Sequence, residues 1–129
     1  MKKTLVATIM LVAIACAICL AACGGGTEIK VDPDKQEYVV GICQLIQHPA
    51  LDKATQGFMD SLTEELKKEG RTVKFDKQNA GGEVTVCSTI VNSFVSKDVD
   101  LILANATDAL FAAANATLTI PILGTSVTE

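Results

Sequence analysis

The stretch Tyr38-Val39-Val40-Gly41-Ile42-Cys43-Gln44-Leu45-Ile46-Gln47-His48-Pro49-Ala50-Leu51-Asp52 decides the fold. Val39–Leu45 is a short, largely apolar and β-branched run, and it stops at the polar turn Gln47-His48-Pro49. A run of this length bounded by a turn predicts a strand covered on both faces, the kind found in the middle of a parallel sheet. Pro49 suits the first position of a helix, where its missing N–H costs nothing. Leu51, Ala54, Phe58, Leu62 and Leu66 then recur at helical spacing, with Glu64, Glu65, Lys67, Lys68 and Glu69 on the solvated side. Gly70 is the expected stop. In open parallel sheets, ligands lie beyond the carboxyl ends of the strands, where strand order reverses. Gln44 to His48 are therefore expected at the rim of a binding crevice.

Further units follow the same plan. Thr72–Asp76 alternates as a short strand, Gln78-Asn79-Ala80-Gly81-Gly82 reads as a turn, and a helix is expected from about Glu83 to Ser96 with Val84, Cys87, Val91 and Phe94 inward. The Val, Thr and Ser content of that helix gives it poor intrinsic propensity, so packing must hold it. A third strand over Val99–Ala104 leads through Asn105-Ala106-Thr107-Asp108 into a helix ending near Ala116, with Thr107 or Asn105 as its N-cap. The helix is rich in alanine and can approach the sheet closely. Ile120–Leu123 is the fourth strand, and Gly124–Glu129 a polar loop. The class is α/β: a parallel sheet with flanking helices in the order β-α-β-α-β-α-β, with right-handed crossovers.

Working upstream, Lys2 and Lys3 precede the apolar stretch Leu5–Ala22, which is the pattern of a secretory signal. Leu20-Ala21-Ala22-Cys23 resembles a bacterial lipobox, in which Cys23 is lipidated and becomes the new N-terminus. Residues 1–22 are thus expected as a lipoprotein signal peptide, and 23–37 as the lipidated cysteine and a flexible tether. Gly24-Gly25-Gly26 lacks side chains that would stiffen it. The binding lobe is expected over 38–129. An uncleaved membrane anchor is the alternative, since the apolar run approaches spanning length. Either reading places the body at the outer face of a bacterial cytoplasmic membrane, or in the periplasm.

Composition narrows the partners. The chain has 129 residues, with 11 basic and 15 acidic; without Lys2 and Lys3 the balance is 9 against 15. An acidic surface with no basic cluster, no Trp and a single Tyr argues against nucleic acid. Of the five cysteines, three lie in the N-terminal segment, while Cys43 and Cys87 read as small buried hydrophobes. The one Cys-x-x-Cys spacing, Cys16 to Cys19, falls inside the apolar N-terminal stretch and none lies in the body, so zinc and thioredoxin-like readings lack support. A disulfide between Cys43 and Cys87 is not deducible from spacing.

Little here can do covalent chemistry. His48 is the single histidine, and no second ligand stands at metal spacing from it. Gly124-Thr125-Ser126-Val127-Thr128 lacks the second glycine of a nucleophile elbow. No phosphate-binding glycine motif is present, so neither enzyme nor cofactor is expected. What remains is a set of loops, Gln44–His48, Gln78–Gly82, Asn105–Asp108 and Thr125–Thr128, all emerging on one edge and rich in Gln, Asn, Thr and Ser. Helix N-termini there favour an anion such as a carboxylate.

Leu45-Ile46-Gln47-His48-Pro49-Ala50-Leu51-Asp52, Gln78-Asn79-Ala80, Val99–Ala104, Ala112–Thr117 and Ile120-Pro121-Ile122 together resemble the ABC-transporter substrate-binding lipoproteins of the tryptophan/tyrosine type. The resemblance runs from about Val39 to Thr128. It implies a type I periplasmic-binding-protein fold, of which this sequence would hold most of the first lobe. It also implies a receptor that closes two lobes on a small solute, an amino acid and notably an aromatic one, and delivers it to an ABC permease. Gln44, Gln47, His48, Gln78, Asn79, Thr107 and Ser126 are the residues expected to face the ligand. Three positions depart from the family pattern: Gln47 stands where Glu is usual, Asp108-Ala109-Leu110 replaces Pro-Ala-Ala after Thr107, and Glu129 replaces Asp after Thr128. A membrane-tethered sensory or interaction domain, or a receptor remnant without function, are the other readings.

Overall fold

The computed structural model describes residues 32–128. The signal-peptide and lipidation readings therefore lie outside the described residues. Four strands and three helices alternate: β1 (Glu37–Gln44), α1 (Pro49–Lys68), β2 (Thr72–Asn79), α2 (Val84–Ser96), β3 (Leu101–Asn105), α3 (Thr107–Ala116) and β4 (Ile122–Thr125). All pairings are parallel and the sheet order is β2-β1-β3-β4. β1 is therefore central, as its apolar run predicts. The chain leaves it towards β2 on one side and returns to β3 on the other, which puts the reversal of strand order between the carboxyl ends of β1 and β3.

The two faces of the sheet are covered differently. α1 lies on one face, where Phe58, Met59 and Leu62 pack on Val40, Ile42 and Leu103. Phe58 meets Phe75 edge-on, ring centroids 6.5 Å apart. α2 and α3 cover the other face through Cys87, Ile90, Val91, Phe94, Ala109, Ala112 and Ala113. The alanines of α3 let it sit close to β3, as expected. Gly41 in β1 makes the same allowance for α2: an added Cβ there would stand 2.6 Å from the Phe94 ring. No helix of the described residues is long and apolar enough to cross a membrane.

Element boundaries depart from the sequence reading where pairing overrides polarity. β2 continues three residues beyond Asp76 because its ladder with β1 runs through Gln44↔Asn79; as an edge strand it tolerates polar residues. Gln78 and Asn79 are thus strand residues, not turn residues. β3 begins at Leu101 and takes in Asn105, expected as a loop residue or cap. β4 lies two residues later than Ile120–Leu123, at Ile122–Thr125, because Ile102↔Ile122 sets its register. In α2, Val84, expected inward, is half exposed, because it opens the helix's first turn, short of the core contacts that begin at Cys87; Ile90, not singled out in the sequence, is buried. α3 is capped by neither Thr107 nor Asn105 but by Ala106, which has no side chain to offer.

The amino end of the sheet is fastened by charge. Asp100 binds Lys35 and accepts from the Val39 amide at 2.8 Å. Arg71 donates to the Pro33 carbonyl at 3.0 Å and to the Tyr38 hydroxyl at 3.2 Å. Asp32–Gln36, expected as part of the free tether, is held against the body by these contacts, and β1 starts at Glu37, one residue early. α1 ends as Gly70 predicts. Gly70, at φ 73°, donates to the Lys67 carbonyl and Arg71 to the Leu66 carbonyl, which closes the last turn.

Candidate functional site

All four strands end on one edge, at Gln44, Asn79, Asn105 and Thr125, and the three helices begin there. Paired residues share a face, so these four side chains stand on the α1 side of the sheet. Four strands at ~4.8 Å spacing place Asn79 and Thr125 ~14 Å apart, with Gln44 and Asn105 between them.

Gln44 and Asn105 are fully buried, and a third buried polar residue, Thr55 of α1, joins them. Thr55 Oγ1 donates to Gln44 Oε1 at 2.9 Å and accepts from Asn105 Nδ2 at 2.9 Å. Gln44 Nε2 donates to Asp52 Oδ1 at 2.7 Å and to the Ile46 carbonyl at 2.9 Å. Asn105 Nδ2 also donates to the Leu51 carbonyl at 2.8 Å. The network thus locks the first turns of α1 onto the carboxyl ends of β1 and β3. One acceptor is left over: Asn105 Oδ1 is buried and has no hydrogen-bond partner among the described residues. A buried acceptor without a donor costs about 1–3 kcal/mol, which a water or a ligand N–H would recover.

The expected site residues divide into three groups. Gln44 lies at the switch point, but its amide is spent on Asp52, Ile46 and Thr55. Gln47 and His48 are exposed at the start of α1. His48 is its N-cap, with Nδ1 accepting from the Ala50 amide at 3.2 Å; Nδ1 is thereby unprotonated in the neutral ring, and Nε2 carries the proton. On the outer strand, Gln78 donates to Asp76 at 3.0 Å on the α2 side, and Asn79 Oδ1 accepts from the Gly81 amide at 2.8 Å. Thr107 and Ser126 lie on the other flank, where Thr107 Oγ1 accepts from the Thr128 amide at 3.1 Å; among the described residues, Ser126 makes no bond to Thr107. Sequence reasoning missed Thr55 and the buried role of Asn105. The available signal for Thr55 was its place four residues after Leu51, inside an otherwise apolar stripe.

The start of α3 is the least satisfied part of the edge. Ala106 holds φ 98° and ψ 160°, a region essentially reserved for glycine. It is fixed from both sides: its amide donates to the Thr125 carbonyl at 3.0 Å and its carbonyl accepts from the Leu110 amide at 3.1 Å. The first helical amides, Thr107 to Ala109, precede any intrahelical acceptor, and Ala106 provides no cap for them. Three N–H groups at a helix start suit an anionic group of a small ligand. Asp108 in the first turn opposes the anion by its charge. Among the described residues no group of three or more His, Cys, Asp or Glu could hold a metal ion.

Comparison with known proteins identifies the family and the fold. The family model for ABC transporter substrate binding protein matches residues 39–129. A tyrosine-binding protein of Clostridioides difficile is 42% identical over 102 residues, covering 79% of this chain and 30% of its own length. The ligand-free, open structure of a substrate binding protein with adhesive properties from Clostridium difficile superposes with a TM-score of 0.66 at 40% identity, covering 71% of this chain and 31% of that one. An ABC domain in complex with L-Trp from Streptococcus pneumonia gives 0.65 at 31% identity, covering 72% and 31%. The sequence thus spans about 30% of the length of the curated relative it matches. The parallel α/β architecture is that of these periplasmic-binding-protein-type structures. The chain belongs to the ABC transporter substrate-binding protein family.

Proposed function

We propose that this chain supplies one wall of an amino-acid receptor, taking an aromatic amino acid such as tyrosine or tryptophan and passing it to an ABC permease. The observation that carries the reading is the start of α3, whose first amides have no side-chain cap and stand at the carboxyl end of β3, next to the point where β1 and β3 diverge. The amides suit an α-carboxylate. A relative named for tyrosine and a neighbour holding L-Trp support the class of solute. Gln47, His48, Asn79 and Ser126, at the ends of the other strands and on the loops beyond them, are the further residues proposed to face the solute. Capture proceeds by closure of a second lobe over the solute. Binding is the proposed activity, in keeping with a family and relatives named for binding. Lipidation of Cys23 would hold the receptor at the outer face of the cytoplasmic membrane, with acyl chains supplying the attachment.

The test is a thermal-shift screen of the native, detergent-extracted protein against the twenty L-amino acids. L-Tyr or L-Trp is expected to raise the melting temperature; at a hundredfold excess over Kd the stabilisation is about 2.7 kcal/mol. A flat response to every amino acid would overturn the reading. The N-terminal peptide of the same sample is expected to carry diacylglycerol on Cys23, read by mass.

A further inference from the structure

Cys43 and Cys87 are each fully buried in one core cluster, between the carboxyl end of β1 and the first turns of α2. The Phe94 ring sits against Gly41; Cys43 follows Gly41 by two residues on the same strand face, and Cys87 precedes Phe94 by two helical turns on the same helix face, so the two thiols lie on facing surfaces next along that contact. Ala104 is the residue paired with Cys43 in the β1–β3 ladder, and Gly41 lies two residues back along the same face of β1. Small neighbours let the helix approach the strand, which is what a bridge needs, since its two Cα atoms must come within about 7 Å. The structure holds both as free thiols.

We propose that Cys43 and Cys87 form a disulfide as the chain folds outside the cytoplasm. The step removes one proton and one electron from each Sγ and makes one S–S bond. The acceptor is the disulfide of a thiol–disulfide exchange catalyst or of oxidised glutathione, whose own S–S bond breaks to give two thiols. Timing follows from burial. In the folded core Cys43 is pushed up to about 12, first by burial and then by the neighbouring Cys87, so almost no thiolate exists there at neutral pH. Exchange must precede closure of the core, and closure then shields the bond from reductant.

The consequence reaches the candidate site. Cys43 immediately precedes Gln44, and Cys87 lies five residues after Gly82. The bridge would pin the β1–α1 loop to the β2–α2 loop, which the Gly82 amide already joins through the Leu45 carbonyl at 2.7 Å. Two of the loops around the proposed ligand position would move as one. This consequence rests on the receptor reading; the bond itself does not.

The experiment uses the native protein, purified without reductant, alkylated with iodoacetamide in denaturant and digested with trypsin. Cleavage separates the two cysteines from each other and from Cys16, Cys19 and Cys23, because they fall in peptides 36–53, 78–97 and 4–30. The expected product is peptide 36–53 joined to 78–97, two hydrogen masses lighter than the pair of free-thiol peptides, which reductant followed by fresh iodoacetamide converts to two alkylated peptides. Recovery of both peptides fully alkylated without reductant overturns the proposal. A second reading comes from urea unfolding. Reductant is expected to lower the midpoint of the wild type and leave that of the Cys43→Ala/Cys87→Ala variant in place. An equal response in both also overturns it. Neither outcome depends on any amino acid binding, so the receptor reading stands or falls separately.

Discussion

The two faces of the sheet are organised by different rules. Under α2 and α3 the non-covalent contacts are apolar packing: Phe94 over Gly41, alanines over β3, and Ile90, Val91 and the two cysteines among them. Under α1 the lower half is equally apolar, but the upper half is a chain of buried amides and a hydroxyl running from Asp52 through Gln44 and Thr55 to Asn105. Apolar packing fixes separation and leaves rotation cheap. Hydrogen bonds with one donor and one acceptor each fix direction as well. The α1 face therefore holds the loop ends in place at the switch point, while the opposite face mainly holds the layers together.

The largest test of that contrast is Phe94→Ala. The ring is fully buried and has Gly41 beneath it, so nothing nearby can expand to fill the space. A loss of about 3–5 kcal/mol is expected, read as the urea midpoint of unfolding. If shape is what counts on this face, Phe94→Leu recovers much of that loss, because it restores volume without restoring any polar contact.

Thr55→Val sharpens the comparison from the other side. The substitution keeps shape and deletes one hydroxyl. Gln44 Oε1 then loses its donor, and Asn105 Nδ2 keeps only the Leu51 carbonyl. A cost of about 1–3 kcal/mol is expected, with Thr55→Ser restoring most of it. If Val is tolerated as well as Thr, the α1 face is as indifferent to direction as its opposite. Loss of L-Tyr or L-Trp binding beyond the loss of stability would place the network in control of the loops.

These two positions also show what could be read in advance. Alternation of apolar runs with helical stripes was enough for class, order and the central place of β1, because burial on both faces leaves a compositional mark. Strand ends were less legible. Asn79, Asn105 and Thr125 are polar, and polarity suggested loops, yet pairing with a neighbouring strand carried each ladder through them. No local signal marks that, since the partner lies dozens of residues away. Thr55 was hidden for the opposite reason: a helix stripe tolerates a threonine, and only the arrival of Gln44 and Asn105 from two strands gives it a purpose. The uncapped start of α3 was misread because Ala106 adopts a backbone state that alanine rarely visits.

That backbone state supplies the next test. Ala106→Gly removes the Cβ from a conformation at φ 98° that suits glycine. Relief of strain outweighs the greater freedom of glycine in the unfolded chain, and a gain of about 1 kcal/mol is expected. A destabilised variant would show that the position is held without strain. If the gain comes with weaker ligand binding, the strained loop is set for the ligand rather than for the fold.

The smallest effect lies on the edge strand, away from both buried systems. Lys97, at 2.6 Å, holds the Asp76 carboxyl below its usual range, with Gln78 assisting and partial burial opposing. A carboxylate whose folded pKa is lowered contributes stability that is complete above its unfolded value of about 3.9 and is lost as pH falls through the lower folded value. Lys97 is more than half exposed, so screening leaves the pair only a small contribution. The unfolding midpoint of the wild type should therefore fall faster than that of Lys97→Met as pH is lowered below about 4. At neutral pH the two should differ by a few tenths of a kcal/mol at most. Neither face of the sheet depends on this pair, so Lys97→Met should leave the response to Thr55→Val unchanged. Non-additivity between them would mean that the edge strand and the buried network are coupled through β1, and that the two faces are less independent than their chemistry suggests.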